Sequence, residues 1–486
     1  MSSISVENLT FAYPGSYDNV FEDVSFQIDT DWKLGFVGRN GRGKTTFLNL
    51  LMGKYEYSGK ITASVGFAYF PYPVASPQRL TSEILEEVCP DAEDWQLLRE
   101  LSLLRVEEDV LQRPFDTLSG GEQTKVLLAA LFLNPEKFLL IDEPTNHLDV
   151  RAREQVAEYL RRKRGFILVS HDRYFLDGCV DHILSLNRAD IQVQSGDFSA
   201  WMENFTRQQD FELERNARLE KDVKRLQQSA RRASNWSDKV ERSKNGAFDK
   251  GYIGHKSAKM MKRAKAFEAR TEAALEERRG LLKNLETAEE LKLFPQRYHS
   301  RVLAEFREVS VCYGGKPCGD PVTFTVERGD RVVLTGKNGS GKTSLLRCLL
   351  GEEVPRTGII TVGSGLTVSV VPQQTGHLRG TVFAYAEENG LDEVLFLAIL
   401  RKMDFERVQF EKNMAGFSGG QKKKVLIAKS LCEQAHLYLW DEPLNFIDLY
   451  SRLQIEALIR EFQPTMVLVE HDRAFQKAVG TKFVEV

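Results

Sequence analysis

The chain has 486 residues, more than one ordinary domain needs, with 42% hydrophobic and 28% charged residues and a formal net charge of −3. No stretch approaches the roughly 18–20 consecutive apolar residues that cross a bilayer, and the opening residues lack the basic and apolar regions of a secretory signal, so a cytoplasmic protein outside the membrane is expected. Six cysteines scattered without CxxC spacing exclude a zinc or disulfide framework and suit reduced thiols.

In chain order, the apolar run 34–37 is a predicted strand that feeds Gly38-Arg39-Asn40-Gly41-Arg42-Gly43-Lys44-Thr45, a match to GxxxxGK[ST]. Glycines at that spacing let backbone N–H groups turn inward around phosphate oxygens, and the amphipathic run that follows adds a helix N-terminus. The lysine reaches the β- and γ-phosphates, and Thr45 offers a hydroxyl to Mg²⁺. Ser119-Gly120-Gly121 then opens a helix with bare N–H groups. The apolar run 138–141 delivers two carboxylates at its end, Asp142 for the Mg²⁺ shell and Glu143 to orient or deprotonate water. Run 166–169 leads to His171, a candidate γ-phosphate contact.

After about residue 205 the pattern changes. Leu219, Val223, Leu226, Ala230 and Ala233 keep a heptad seam, and a second seam runs from Met260 through Ala264 and Phe267 to Leu285. Glycines at 246, 251 and 254 break the pattern between them, which predicts an antiparallel helical coiled-coil hairpin. Helices of about 35 residues would reach roughly 50 Å. Residues 221–270 hold 15 Lys and Arg against five Asp and Glu, an excess of +10 that leaves −13 on the rest of the chain. Interleaved aromatics favour RNA over a merely solvated coil, because lysines neutralise phosphates and rings stack on unpaired bases. The candidate RNA-binding residues are Trp236, Lys244, Lys250, Tyr252, His255, Lys256, Lys259, Lys262 and Arg263, around a basic tip at 236–256.

Beyond residue 300 the first pattern returns. Gly336-Lys337-Asn338-Gly339-Ser340-Gly341-Lys342-Thr343, Ser418-Gly419-Gly420, Asp441-Glu442 and His471 follow their counterparts at offsets of 298, 299, 299 and 300 residues. Four matched intervals mean an internal duplication. The expected architecture is α/β, with copies at 1–204 and 300–486 built on mainly parallel sheets and a linker at 205–299.

An SGG element 23 residues before each Asp-Glu strand resembles the signature of the ATP-binding cassette family, across about 390 residues of the two copies. The resemblance implies two tandem P-loop NTPase cassettes that bind ATP and Mg²⁺ at Gly38, Asn40, Gly41, Gly43, Lys44, Thr45 and Thr46 and at Gly336, Asn338, Gly339, Gly341, Lys342, Thr343 and Ser344. Tyr13 and Tyr313 match the aromatic that stacks on adenine, Gln373 the Q-loop glutamine of the metal shell, and Asp149 and Asp448 the D-loop. Head-to-tail pairing within a monomer would bring Ser418, Gly419 and Gly420 to the first ATP, and Ser119, Gly120 and Gly121 to the second. The first Q-loop departs from the pattern, with Phe70-Pro71-Tyr72 where the second has Val371-Pro372-Gln373, so two competent but unequal sites are expected.

Tandem cassettes with a long charged linker and no membrane span resemble the ABC-F family of ribosome-associated ATPases. The linker stretch 249–263 and Trp32-Lys33-Leu34-Gly35 are similar to the Lsa-type antibiotic-resistance branch. That resemblance implies binding at the E site of the 70S ribosome, beside 23S rRNA and P-site tRNA, with the hairpin tip dislodging lincosamides, pleuromutilins or streptogramin A. Only 75 residues separate Lys44 from Ser119, which leaves little room for the arm of the housekeeping translation-factor branch; the chain also stops soon after His471, so no C-terminal extension is expected. The rival expectations are a housekeeping ABC-F factor, the ATPase subunit of a membrane transporter, and a DNA-directed ATPase with a coiled coil.

Overall fold

The computed structural model describes residues 2–14, 19–186, 191–211 and 291–486 apart from 314 and 315, with isolated positions between 214 and 228. Two compact units emerge, one formed by Met1–Trp201 with Ala288–Val486 and the other by Met202–Thr287. Of the second unit, residues 202–211 are helical. Apart from isolated positions up to 228, the heptad hairpin lies outside the described residues, as do its basic tip and all nine candidate RNA-binding residues.

The first unit holds the two copies, and their topologies run in step. In the first copy β1 (Ser3–Phe11) pairs antiparallel with β2 (Phe21–Asp29) and β4 (Ser58–Ala63). Its larger sheet has the order β5-β6-β7-β3-β8-β9, formed by β5 (Gly66–Phe70), β6 (Lys137–Asp142), β7 (Phe166–Val169), β3 (Lys33–Gly38), β8 (His182–Leu186) and β9 (Ile191–Ser195). In the second copy β10 (Val302–Tyr313) pairs with β11 (Lys316–Glu327) and β13 (Arg356–Val362). Its parallel sheet has the order β14-β15-β16-β12-β17, from β14 (Val368–Val371), β15 (Leu437–Asp441), β16 (Met466–Val469), β12 (Arg331–Thr335) and β17 (Lys482–Glu485). Only β9, antiparallel to β8, has no counterpart among the described residues.

The sequence explains the division into two kinds of sheet. Strands β7 and β16, Phe-Ile-Leu-Val and Met-Val-Leu-Val, are buried at every position, as parallel strands covered on both faces must be. Strand β1 instead alternates buried and open positions along most of its length, because one face packs and the other meets solvent. Even the irregularities repeat. The ladder shifts after Glu7 and after Arg307, where Asn8 and Glu308 take φ of 51° and 49°. A Cβ on the facing Gly59 or Gly358 would lie 2.3 Å from the carbonyl oxygen of Asn8 or Glu308, so the bulge requires glycine in both copies. The six cysteines are free thiols, and among the described residues no helix is long and apolar enough to cross a membrane.

Candidate functional site

Each phosphate-loop sequence joins a buried parallel strand to a short helix, β3 to Lys44–Leu51 and β12 to Lys342–Leu349. Gly43 and Gly341 stand at the helix starts with φ of 106° and 100°, a left-handed turn that aims the helix N-terminus into the loop. Lys44 Nζ donates to the carbonyls of Gly38 (2.7 Å) and Arg39 (3.1 Å), and Lys342 Nζ to those of Gly336 (3.0 Å) and Lys337 (2.6 Å). Both ammonium groups are thus folded into the loop that surrounds them. Tyr13 and Tyr313 stand beside the next hydroxyls of the two helices. The Tyr13 hydroxyl is 2.6 Å from Thr46 Oγ1, and Tyr313 bonds Ser344. Both tyrosines stay exposed, at 40% and 53%, which leaves room for a flat ligand to stack.

Parallel pairing of β6 with β7, and of β15 with β16, carries the acids to the loops. Thr45 Oγ1 donates to Asp142 Oδ2 (2.9 Å), and Thr343 bonds Asp441 in the same way. The next residues, Glu143 and Glu442, both take a left-handed backbone with φ of 51° and 45°, which turns their carboxylates toward the histidines. His171 Nε2 lies 3.3 Å from Glu143 Oε1, and His471 Nε2 lies 3.6 Å from Glu442 Oε1.

The two copies meet across these groups. A cavity of about 490 Å³ is lined by Tyr313, Asn338, Gly339, Lys342, Thr343, Ser344, Gln373, Glu442 and His471 from the second copy, and by Gly120, Asn146, Leu148 and Arg153 from the first. At the other pairing the contact is direct. Asn40 Nδ2 donates to the Phe446 carbonyl (2.7 Å), while a Cβ on Gly420 would meet the same nitrogen at 3.2 Å. Ser119 and Ser418 cap the signature helices, each accepting from the backbone N–H three residues on at 3.3 Å. Gly121 continues the first of these helices after Gly120, and Gly419 opens the second. Ion pairs fasten the faces, with Arg173 on Glu456 (2.7 Å) and Arg473 on Glu154.

The electrostatics differ between the pairings. Burial, followed by the charge of Asp142, pushes the Glu143 carboxyl up to about 8 against the pull of Lys44. Burial also lifts Glu442, but the hydrogen bond and charge of His471, the Gln373 amide and Lys423 outweigh it and hold the group at about 2. Asp441 is pushed up to about 6 by burial, against the Thr343 hydrogen bond. His171 is held well below its ordinary range by burial and by Lys44, which keeps its imidazole neutral. Among the acids of the two sites, Glu143 Oε1 and Asp441 Oδ1 are buried without a hydrogen-bond partner. An orphaned carboxylate oxygen beside a threonine hydroxyl is a hard-oxygen setting that suits Mg²⁺.

Several members of this constellation escaped the sequence. Arg153 Nη1 pairs with Asp172 Oδ2 (2.8 Å) and its Nε donates to the Leu148 carbonyl (3.0 Å), while Arg452 does the same to Asp472 (3.0 Å) and Ile447 (2.9 Å). These buried pairs tie each D-loop, with Asp149 and Asp448 capping the following helices, to the turn that carries the histidine. Their offsets of 299 and 300 residues repeat those of the motifs, so a longer comparison of the copies would have found them. Tyr69, whose hydroxyl donates to Asp142 Oδ2 (3.0 Å), carries no such signal, because the second copy has valine there.

A family model described as ABC transporter matches residues 21–146 and 320–445, stretches that each contain a phosphate loop, an SGG element and an Asp-Glu strand end. Among curated relatives, the energy-dependent translational throttle protein EttA of Haemophilus influenzae is 26% identical over 520 residues, covering 96% of this chain and 89% of its own length. The ribosome protection protein VmlR of Bacillus subtilis is 27% identical over 495 residues, covering 97% and 85%. Among solved structures, archaeal ribosome recycling factor aABCE1, in a complex with archaeal ribosomal stalk protein aP1, superposes with a TM-score of 0.64 at 20% identity, covering 98% of this chain and 87% of its own; this likeness speaks to the fold. The matched stretches together exceed half of the chain and coincide with both loops, both signature helices and both acidic strand ends, so the chain belongs to the ABC transporter family of ATP-binding domains and is an ATPase.

Proposed function

We propose that this chain is a cytoplasmic ABC-F ATPase that grips the ribosome as an ATP-driven clamp, with cassettes at 1–204 and 300–486 and a linker hairpin at 205–299. One observation carries the clamp: a single cavity is lined by the second phosphate loop and by Gly120 of the other copy, so a nucleotide there would join the cassettes. EttA and VmlR, whose names place them in translation, support the ribosome as partner.

The chemistry is positioning and charge stabilisation. The loop N–H groups of 38–46 and 336–344 cradle the phosphates, with Lys44 and Lys342 turning to the β- and γ-oxygens and Tyr13 and Tyr313 stacking on adenine. Signature residues 119–121 and 418–420 close on the γ-phosphate from the opposite copy. Thr45 with Asp142, and Thr343 with Gln373 and Asp441, would hold Mg²⁺, which supplies positive charge against the phosphate oxygens when bound. Glu143 or Glu442 takes a proton from the attacking water, His171 or His471 steadies the γ-phosphate, and the products are ADP and phosphate. Hydrolysis then releases the clamp.

Within this role we assign the Lsa-type resistance activity. The hairpin tip enters toward the peptidyl-transferase region, with Trp236, Tyr252, His255 and the surrounding lysines on 23S rRNA and P-site tRNA, and antibiotic is displaced. The match to EttA favours a second reading, a housekeeping translation factor without drug displacement. Sedimentation tests the common ground: Glu143→Gln with Glu442→Gln should stay on 70S ribosomes in ATP, and a double variant that sediments free of ribosomes would sink the clamp. Inhibitory drug concentrations in a susceptible strain separate the two readings, since a resistance protein raises them several-fold and a housekeeping factor leaves them unchanged.

A further inference from the structure

Strands β5 and β14 run beside the acidic strands in matching register, with Tyr69 opposite Leu140 and Val370 opposite Leu439, each two residues before the aspartate. Tyr69 and Val370 therefore hold the same place, and both are half-buried. In the first copy that place reaches the site. The Tyr69 hydroxyl and the Thr45 hydroxyl converge on one atom, Asp142 Oδ2, at 3.0 and 2.9 Å. Lys54 Nζ sits 5.2 Å from the centre of the Tyr69 ring, a cation against its face.

In the second copy valine offers no such bond. There Asp441 Oδ1 is buried without a partner, and the polar group arriving from this side is Gln373, whose amide bonds Glu442. Three residues beyond Tyr69 the first copy has Tyr72, which carries no amide. The copy without a Q-loop glutamine is the one with a phenol on its aspartate.

We propose that Tyr69 is the positioning residue of the first site, fixing Asp142 for the metal from the strand and replacing the glutamine that the first Q-loop lacks. The proposal rests on the reading of Asp142 as a metal-shell residue. It implies that the two sites order their metal by different routes, one by a phenol beneath the aspartate and the other by an amide beside the glutamate.

The test uses the full chain with Lys342→Ala, which confines tight nucleotide binding to the first site, and Mn²⁺ with the β,γ-imido analogue of ATP, followed by electron paramagnetic resonance. Losing a hydrogen bond to a charged group costs on the order of tenfold in affinity. Tyr69→Phe should therefore weaken Mn²⁺ binding about tenfold while leaving metal-free analogue binding unchanged, and Tyr72→Gln added to it should recover most of the loss. Unchanged Mn²⁺ affinity in Tyr69→Phe would overturn the proposal, as would equal loss of analogue binding with and without metal, which marks a merely structural tyrosine. A weakened variant that Tyr72→Gln does not rescue would overturn the replacement of glutamine. Asp142→Asn is the control for the underlying reading: if it keeps full Mn²⁺ affinity, Asp142 is no metal-shell residue, whatever Tyr69 does.

Discussion

The two phosphate loops share a fold to within a residue of spacing, yet they are held by different contacts. The first loop is drawn onto the opposite copy: Arg39 and Arg42 approach Asp404 Oδ2 at 3.4 and 3.9 Å, Arg39 lies over the Tyr450 ring, and Asn40 bonds Phe446. At those two loop positions the second copy has Lys337 and Ser340. The place of Asp404 is taken in the first copy by Arg105; both residues follow a helix end, with φ of 65° and 54°. The second loop accordingly borders an open cavity of about 490 Å³. Duplication has kept the backbone while the variable positions within the motif set how tightly each pairing closes.

The largest expected effect removes the bases one at a time. A general base is worth about 10²–10⁴ in rate, so Glu143→Gln and Glu442→Gln should each abolish one of two turnovers in single-turnover phosphate release. Loss of both turnovers from either single change would mean the sites fire only together. The pH profiles of these variants sharpen the contrast. A base raised to about 8 is mostly protonated at neutral pH and gains activity as it loses that proton, so first-site turnover in Glu442→Gln should climb roughly tenfold between pH 7 and pH 9. Second-site turnover in Glu143→Gln should stay flat there, since Glu442 at about 2 is already ionised.

Smaller effects belong to the interface. Each partly exposed ion pair contributes roughly 0.5 kcal/mol, so Asp404→Ala should weaken ATP at the first site about fivefold in equilibrium titration and leave the second untouched. The reverse change, Arg105→Asp, puts an acid at the position equivalent to Asp404 and should tighten the second site about twofold.

How far the sequence carried this picture depended on repetition. Lys44 and Lys342, Asp142 and Asp441, and His171 and His471 were legible because each appears twice at one interval, and the strands carrying them are apolar without interruption. Tyr69 was not, since its register partner is Val370 and a search for shared residues passes over a difference. Arg39 and Arg42 stand at variable positions of a motif, and their partner Asp404 lies more than 360 residues away in sequence. A trans contact of that separation is a product of the folded interface, where no local pattern announces it.

The sharing of each site between copies is tested most directly by putting an acid into one signature helix at a time. In a chain carrying Glu143→Gln and Glu442→Gln, titration calorimetry with ATP should resolve two binding events of unequal affinity. Gly120→Asp should remove the event that also disappears with Lys342→Ala, and Gly420→Asp the one that disappears with Lys44→Ala. If Gly120→Asp instead removed the event that depends on Lys44, each cassette would be binding its nucleotide alone, and the shared sites would be contradicted.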